Sequence, residues 1–366
     1  MQKNARHGWV GWLQLLGLVI VAASFWLGFR HVAWDKVGEL LSRAGVAALV
    51  VLLPCGIVQL MDALGCWLVL RRLEARPPLG RVLVAQLAGE AMSLWLPLGF
   101  AVGEPVRPWL LSAGGHAPAS KAIAAVATRK LLLVSSEAVS VLLALYLARD
   151  AIPQLSQALY GNGALLWIGV GVAAVLAAVA TSLLLAVRGG RWLGWACQRL
   201  AAIPHRGFRA ALQRAEGVVT RTDEALQRAF RLGPRALGPS WLCYLAVWLL
   251  EGFETWLILQ IIGVELSLGH VLFMEALVVS LRSAVVVVPA GLGVQEAGYV
   301  AFLVAFGVPA AASVGAAFSV LKRFKEAFWG LVGYVCFVLA RPRKARSYVV
   351  QPAPAQAEYS ASRALP

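Results

Sequence analysis

The chain has 366 residues, of which 60% are hydrophobic and only 14% charged, and its formal net charge is +15. A soluble domain carries about 25% charged residues, so this composition excludes a water-soluble protein and indicates that lipid is the solvent. The positive charge does not indicate nucleic-acid binding, because Lys and Arg stand between the apolar runs, where membrane topology and anionic lipid account for them. The sequence contains no catalytic motif, metal-ligand spacing or nucleotide-binding loop, so we expect no enzyme activity, cofactor or metal.

Apolar runs of spanning length recur along the chain. Each reaches the roughly 20 residues that cross a hydrocarbon core of about 30 Å. In chain order they are 9–29, 46–70, 121–147, 164–187, 238–263 and 311–340. Two further apolar stretches, 82–112 and 268–308, are interrupted by Pro and Gly and contain charged residues. These two are not simple spans.

The basic loops decide how the interrupted stretches run. Ten arginines lie in 188–237, and further bases lie at the N-terminus, in 71–81 and at the C-terminus. All four should be cytoplasmic, which requires 82–112 and 268–308 each to enter and leave on one side. We therefore predict an all-α polytopic membrane protein with about six full transmembrane helices, two re-entrant helical hairpins and both termini cytoplasmic.

The same pattern predicts the domain organisation. Residues 1–340 form a single membrane domain, and the tail 341–366 is basic and then disordered. Repeat A covers about 46–147 and repeat B about 238–340. The cytoplasmic loop 188–237 has apolar residues at helical spacing, which predicts an amphipathic helix. This helix lies either on the inner leaflet or as a solvated helix over the bundle.

The two hairpins share a short motif. Residues 97–104 (PLGFAVGE) align without gaps to 289–296 (PAGLGVQE), with four of the eight positions identical. A pair of adjacent basic residues follows each motif about 25 positions later. The predicted topology opens one hairpin to each side of the membrane, which makes the two units an inverted repeat. Many transporters build a midplane site from such repeats.

Helix breaks are predicted where Pro and Gly interrupt the hairpins, at Pro97, Gly99, Pro289 and Gly291. A broken backbone is tolerated in hydrocarbon only against protein or water, so the breaks imply a lined cavity. The charges near them are candidates for the lining. These candidates for a lipid head-group or transport cavity are Glu104, Arg107, Arg129, Lys130, Glu296, Lys322 and Arg323.

Two interpretations of these charges are open. They form internal ion pairs, for example Arg129 or Lys130 with Glu296, or the bases bind an anionic lipid head group. The excess of bases favours the second interpretation. The two glutamates that follow the breaks should lie near exposed helix amides, where a carboxylate is stabilised. Asp62 and Glu90 also lie in apolar runs, and we predict no role for them.

Three segments resemble a known family. Residues 103–111 (GEPVRPWLL) resemble the G-[DE]-x-x-R-x-x-L-L segment of the flippase-like transmembrane family related to the membrane domain of lysylphosphatidylglycerol synthases. Residues 289–298 (PAGLGVQEAG) and 321–326 (LKRFKE) are similar to its second signature, which the branch associated with hopanoid biosynthesis shares. The resemblance covers about 46–340. Pro105 and Pro108 depart from the family pattern and leave the reach of Arg107 open.

The resemblance implies a bacterial inner-membrane protein that binds or moves a lipid. It points to five of the charged candidates as the site: Glu104, Arg107, Glu296, Lys322 and Arg323. The expected partners are a membrane lipid (an anionic phospholipid, a hopanoid or a polyprenyl-linked lipid) and a lipid synthase. The aminoacyltransferase domain of the full synthases is not seen, so we do not expect lipid aminoacylation by this chain alone.

Our hypothesis is a lipid transporter or flippase with a midplane cavity. The first alternative is a membrane-embedded enzyme that modifies a lipid or glycan. The second is a scaffold that presents lipid to a synthase without transporting it.

Overall fold

The computed structural model describes residues 33–95, 99–188, 206–231, 233–284 and 293–341. These residues form helices joined by short turns, and no strand occurs among them, so the all-α class is confirmed. A 3-10 segment, Gly45–Val51, joins the first two helices. The α-helices are α1 (Trp34–Ala44), α2 (Leu52–Arg72), α3 (Leu79–Trp95), α4 (Gly99–Ala113), α5 (Ala119–Leu147), α6 (Ile152–Tyr160), α7 (Ala164–Arg188), α8 (Arg206–Arg231), α9 (Pro234–Ile261), α10 (Leu268–Ala284), α11 (Val294–Ala305) and α12 (Ala311–Ala340).

Four stretches in the described part of the chain are long and apolar enough to cross a membrane. They are Trp34–Arg72, Ala119–Leu147, Ala164–Val187 and Arg235–Ile261. Each coincides with a predicted run. The predicted run 311–340 forms the 30-residue helix α12, but four charges within 322–326 keep it outside this set. The first run, 9–29, lies outside the described residues, so the number of spans stays a prediction.

Each interrupted stretch folds as two helices that pack on each other, α3 with α4 and α10 with α11. Glycine allows the first pair to approach closely, because a Cβ on Gly103 would overlap both Ser93 and the backbone oxygen of Gly89. Small residues serve the same purpose between helices in membranes generally. Gly99 is the first residue of α4, whereas the predicted breaks at Pro97, Pro289 and Gly291 lie outside the described residues.

The two halves of the bundle, α2–α5 and α9–α12, pack through reciprocal helix pairs. Helix α2 lies along α9, α3 packs on α12, and α10 packs on α5. Gly65 of α2 faces the fully buried Tyr244 of α9, and Gly333 of α12 abuts the Leu87 carbonyl of α3. The first helix of each half thus meets its counterpart, and a hairpin helix of each half meets the last helix of the other.

Helices α7 and α8 lie beside this bundle. The apolar window of α7 is only 11% buried, so most of its surface is available to lipid. Helix α8 runs through the predicted cytoplasmic loop and buries Ala225, Leu226, Ala229 and Phe230. Its apolar face packs against α5 and α7, and its arginines within 221–231 lie on the exposed face.

Candidate functional site

A bidentate ion pair lies in the middle of the first half. Arg129 of α5 donates through Nε and Nη2 to the two carboxylate oxygens of Asp62 on α2, and both side chains are buried. The planar guanidinium matches a carboxylate in this geometry. The pair neutralises Arg129 locally and ties α2 to α5.

Arg107 of α4 joins the hairpin to this pair. Its Nε donates to Gln86 Oε1 at 2.8 Å and its Nη2 to Glu90 Oε2 at 2.9 Å, both on α3. Gln86 Nε2 then donates to Asp62 Oδ2 at 2.9 Å. Pro105 and Pro108 both lie inside α4. They do not prevent Arg107 from reaching its partners.

Glu104 bridges the remaining bases of the first half. One carboxylate oxygen lies 2.6 Å from Lys130 Nζ, and the other lies 2.7 Å from Arg107 Nη1. Helix α4 begins at Gly99, so Glu104 lies in its second turn, and these bases rather than the first-turn amides stabilise it. The Lys130 side chain is 47% exposed, so this base is the most accessible of the predicted set in this half.

In the second half, Lys322 of α12 occupies a fully buried network. Its Nζ donates to Glu275 Oε1 at 2.7 Å and to the Tyr299 hydroxyl at 2.8 Å. Tyr299 donates in turn to Glu275 Oε2 at 2.8 Å, and Thr255 donates to the same oxygen at 2.8 Å. Both carboxylate oxygens of Glu275 are therefore engaged, which stabilises the buried carboxylate.

Glu296 has two roles. Its Oε2 accepts the Gly293 backbone N–H at 2.7 Å and so caps α11, which agrees with the predicted place near exposed amides. Its Oε1 accepts from Arg323, whose Nη1 also donates to Glu326 at 2.6 Å. Arg323 is therefore held between two carboxylates, one on α11 and one on its own helix.

A charged cavity of about 120 Å³ lies between the two halves. Helices α2 and α3 form one side, and α9, α10 and α12 form the other. Lys325 pairs across helices with the fully buried Glu254. The ionisable residues that line the cavity are Glu90, Glu251, Glu254, Glu326, Arg282 and Lys325.

The structure groups the seven predicted charges by half. Glu104, Arg107, Arg129 and Lys130 form one network, whereas Glu296, Arg323 and Lys322 belong to two others. The pairing of Arg129 or Lys130 with Glu296 is wrong, because Arg129 is bound by Asp62 and Glu296 by Arg323. None of the seven is among the described residues that line the charged cavity. Two of them contact lining residues, because Arg107 binds Glu90 and Arg323 binds Glu326.

Several of these partners were not predicted from the sequence. Asp62 and Glu90 had no predicted role, and Glu251, Glu275 and Tyr299 were not singled out. One signal was present in the numbering. The two aligned glutamates, Glu104 and Glu296, are 192 positions apart (296 − 104). Asp62 and Glu254 are separated by the same number of positions (254 − 62), so the motif alignment pairs these two acids as well. The first residues of α5 and α12 stand equally far apart (311 − 119).

Apolar helices with buried ion pairs and a charged cavity define a multi-pass integral membrane protein. Residues 14–323 match the family described as Lysylphosphatidylglycerol synthase TM region, and the chain belongs to that family. The resemblance seen in the motifs is thereby confirmed. No curated protein matches the sequence. Membership of this family associates the chain with membrane lipid metabolism.

Proposed function

We propose that this chain is a lipid transporter of the flippase type. The lipid's polar or anionic head group crosses through the charged cavity while the acyl chains stay in the bilayer. The observation that carries this proposal is the charged cavity itself, with four carboxylates and two bases around it. An ionisable side chain in the membrane centre costs about 2.5–3.5 kcal/mol on insertion scales. Six of them around one cavity favour a functional role over helix packing alone.

The small volume of the charged cavity supports a state of the protein that is closed to a head group. Pockets that enclose a small molecule measure about 300–1,000 Å³, whereas this cavity measures about 120 Å³. A head group therefore requires the two halves to separate. The reciprocal packing of α3 on α12 and of α10 on α5 gives each half an equivalent contact to open. This arrangement supports an inverted repeat of two re-entrant hairpins that opens to each side in turn.

The engaged bases determine how an anionic head group would bind. Arg129 and Lys322 are buried with their carboxylate partners, so a phosphate would have to displace a carboxylate from them. Lys130 is half-exposed and Arg323 is partly exposed, with side-chain exposures of 47% and 29%. In this proposal the lipid phosphate replaces Glu104 on Lys130 or Glu296 on Arg323, and the released carboxylate re-forms its pair when the lipid leaves.

The surroundings of the protein belong to the same proposal. We place the chain in the bacterial inner membrane with both termini cytoplasmic, where a lipid synthase supplies an anionic phospholipid, a hopanoid or a polyprenyl-linked lipid. Transport is downhill or coupled to protons or to the membrane potential, which supplies about 2.3 kcal/mol per charge per 100 mV. We assign no covalent chemistry to this chain. Cysteine labelling of 205–235 from the outside would contradict the orientation.

Reconstitution tests the transport proposal. The purified chain is placed in liposomes that contain a phospholipid labelled on its head group, and a membrane-impermeant quencher reports how fast label moves between leaflets. We expect faster movement than in protein-free liposomes. Absence of movement overturns the proposal, and lipid that co-purifies with an inactive protein favours the scaffold. A chemically altered lipid, detected by mass spectrometry, favours the enzyme.

A further inference from the structure

A second, larger cavity lies away from the charged one. It measures about 560 Å³ and is lined by α5, α7, the end of α8 and the start of α9. Leu132, Leu184, Phe230 and Leu237 make its wall mainly apolar. Its volume lies within the range of about 300–1,000 Å³ for pockets that hold small molecules.

The wall carries one internal hydrogen bond. Trp241 Nε1 donates to Ser135 Oγ at 3.1 Å, and both residues line the cavity. Because the indole N–H is already satisfied, an occupant need not supply a polar group there. An apolar chain is therefore compatible with this end of the cavity.

Three exposed arginines lie close in sequence to residues at the other end of the cavity. Phe230 and Leu237 line the cavity, and the exposed Arg228, Arg231 and Arg235 stand beside them in sequence. No acidic partner lies within 4 Å of these three side chains in the described part of the chain. Basic residues on an amphipathic helix attract anionic lipid at the membrane surface.

We propose that this second cavity binds one acyl chain of an anionic phospholipid whose phosphate contacts Arg228, Arg231 and Arg235. The surrounding structure favours a lipid over a soluble ligand. Helix α7, which forms one wall, is largely unburied and faces the hydrocarbon, so an acyl chain reaches the cavity without leaving the bilayer. The positive-inside rule places the arginines at the inner leaflet. This site is separate from the charged cavity and does not depend on transport.

Tryptophan quenching by brominated lipid tests the site directly. The chain is reconstituted in phosphatidylcholine vesicles that contain an equal mole fraction of either phosphatidylglycerol or phosphatidylcholine brominated on the acyl chain. The fluorescence quenching of Trp241 is obtained by subtracting the quenching measured for Trp241→Phe from that measured for the native chain. We expect more quenching by the brominated phosphatidylglycerol. Trp167, which is 74% exposed on α7, is the matched control, and Trp167→Phe should reveal equal quenching by the two lipids.

Two variants distinguish the contacts made with the head group from those made with the acyl chain. Changing Arg228, Arg231 and Arg235 to Gln should lower the preference for the anionic lipid about fivefold per arginine. Gly238→Leu should reduce quenching of Trp241 by both lipids, because Gly238 lines the cavity and a Cβ there meets nothing within 4 Å. Equal quenching by the two lipids in the native chain overturns the proposal. So does an unchanged preference after the arginine replacements, or unchanged Trp241 quenching in Gly238→Leu.

Discussion

The two halves of the bundle use their charges differently. In α2–α5, three acids and three bases form a connected network through direct ion pairs: Asp62, Glu90, Glu104, Arg107, Arg129 and Lys130. In α9–α12, Glu251 and Arg282 line the charged cavity, and neither makes an ion pair within 4 Å among the described residues. These six charges of the first half compensate one another, whereas two cavity-lining charges of the second half, Glu251 and Arg282, lack an ion-pair partner among the described residues.

The separation of 192 positions that aligns the two sequence motifs places different residue types opposite each other. At the separation of 192 positions (296 − 104), Glu251 corresponds to the uncharged Gln59, and Arg282 corresponds to Glu90, which Arg107 binds. The second half has Tyr299 at the position of Arg107 and so lacks that hairpin arginine. We infer that the first half, apart from its Glu104–Lys130 pair, mainly holds the bundle together and that the second half makes most of the contacts with a head group.

The largest effect should come from breaking the ion pair of the first half. Asp62→Leu leaves the buried Arg129 without its bidentate partner, and loss of one member of a buried pair costs about 3–5 kcal/mol. We expect a large loss of folded protein, measured by thermal unfolding in detergent. The double variant Asp62→Leu with Arg129→Met should recover most of this loss, because apolar residues replace both charges. A single variant as stable as the native chain would show that this pair does not hold the first half.

A glycine between the halves should show a smaller effect. Gly333→Ala would push a methyl group into the Leu87 carbonyl where α12 packs on α3, and such overpacking costs about 1–3 kcal/mol. The matched control is Gly171→Ala in α7, where a Cβ meets nothing within 4 Å. The control should be as stable as the native chain or slightly more so. Equal melting temperatures for the two variants would show that the halves are not closely packed at this point.

The pair Glu296–Arg323 should matter for transport more than for stability. Glu296→Gln leaves Arg323 with Glu326, and Arg323→Ala leaves Glu296 on the Gly293 amide. Each remaining group keeps a partner, so we expect a stability loss smaller than the roughly 3–5 kcal/mol lost when a buried charge is left unpaired. Both variants should express normally and lose lipid movement in liposomes. If both misfold instead, these charges are structural and the second half resembles the first.

Local chain pattern predicted that each of the two interrupted stretches contains a pair of helices, whereas the re-entrant course and the role of the charges stay predictions. Pro and Gly within apolar runs indicated the helix interruptions, and Glu104 and Arg323 drew attention as charges in apolar sequence. The pairing of charges was not predictable in this way, because it depends on which helices pack together. Arg129 finds Asp62 since α5 packs on α2, 67 residues earlier in the chain. The charged cavity was missed for the same reason, since five helices contribute to it.

Glu251→Gln should change stability least of these variants and should test most directly whether the charges facing the cavity bind a head group. Glu251→Gln removes a charge that faces the cavity, and Gln59 at the equivalent position of the first half indicates that an amide fits there. We expect a stability loss of about 1 kcal/mol or less, because no ion-pair partner is left unpaired. Lipid movement should fall about tenfold, as expected when a charged hydrogen bond worth about 1.5–3 kcal/mol is lost. Glu39→Gln, at the exposed helix α1 where Glu39 pairs with Arg43, should leave transport unchanged. If Glu251→Gln transports normally while Glu296→Gln does not, head-group recognition depends on the Glu296–Arg323 pair rather than on the unpaired charges that face the cavity.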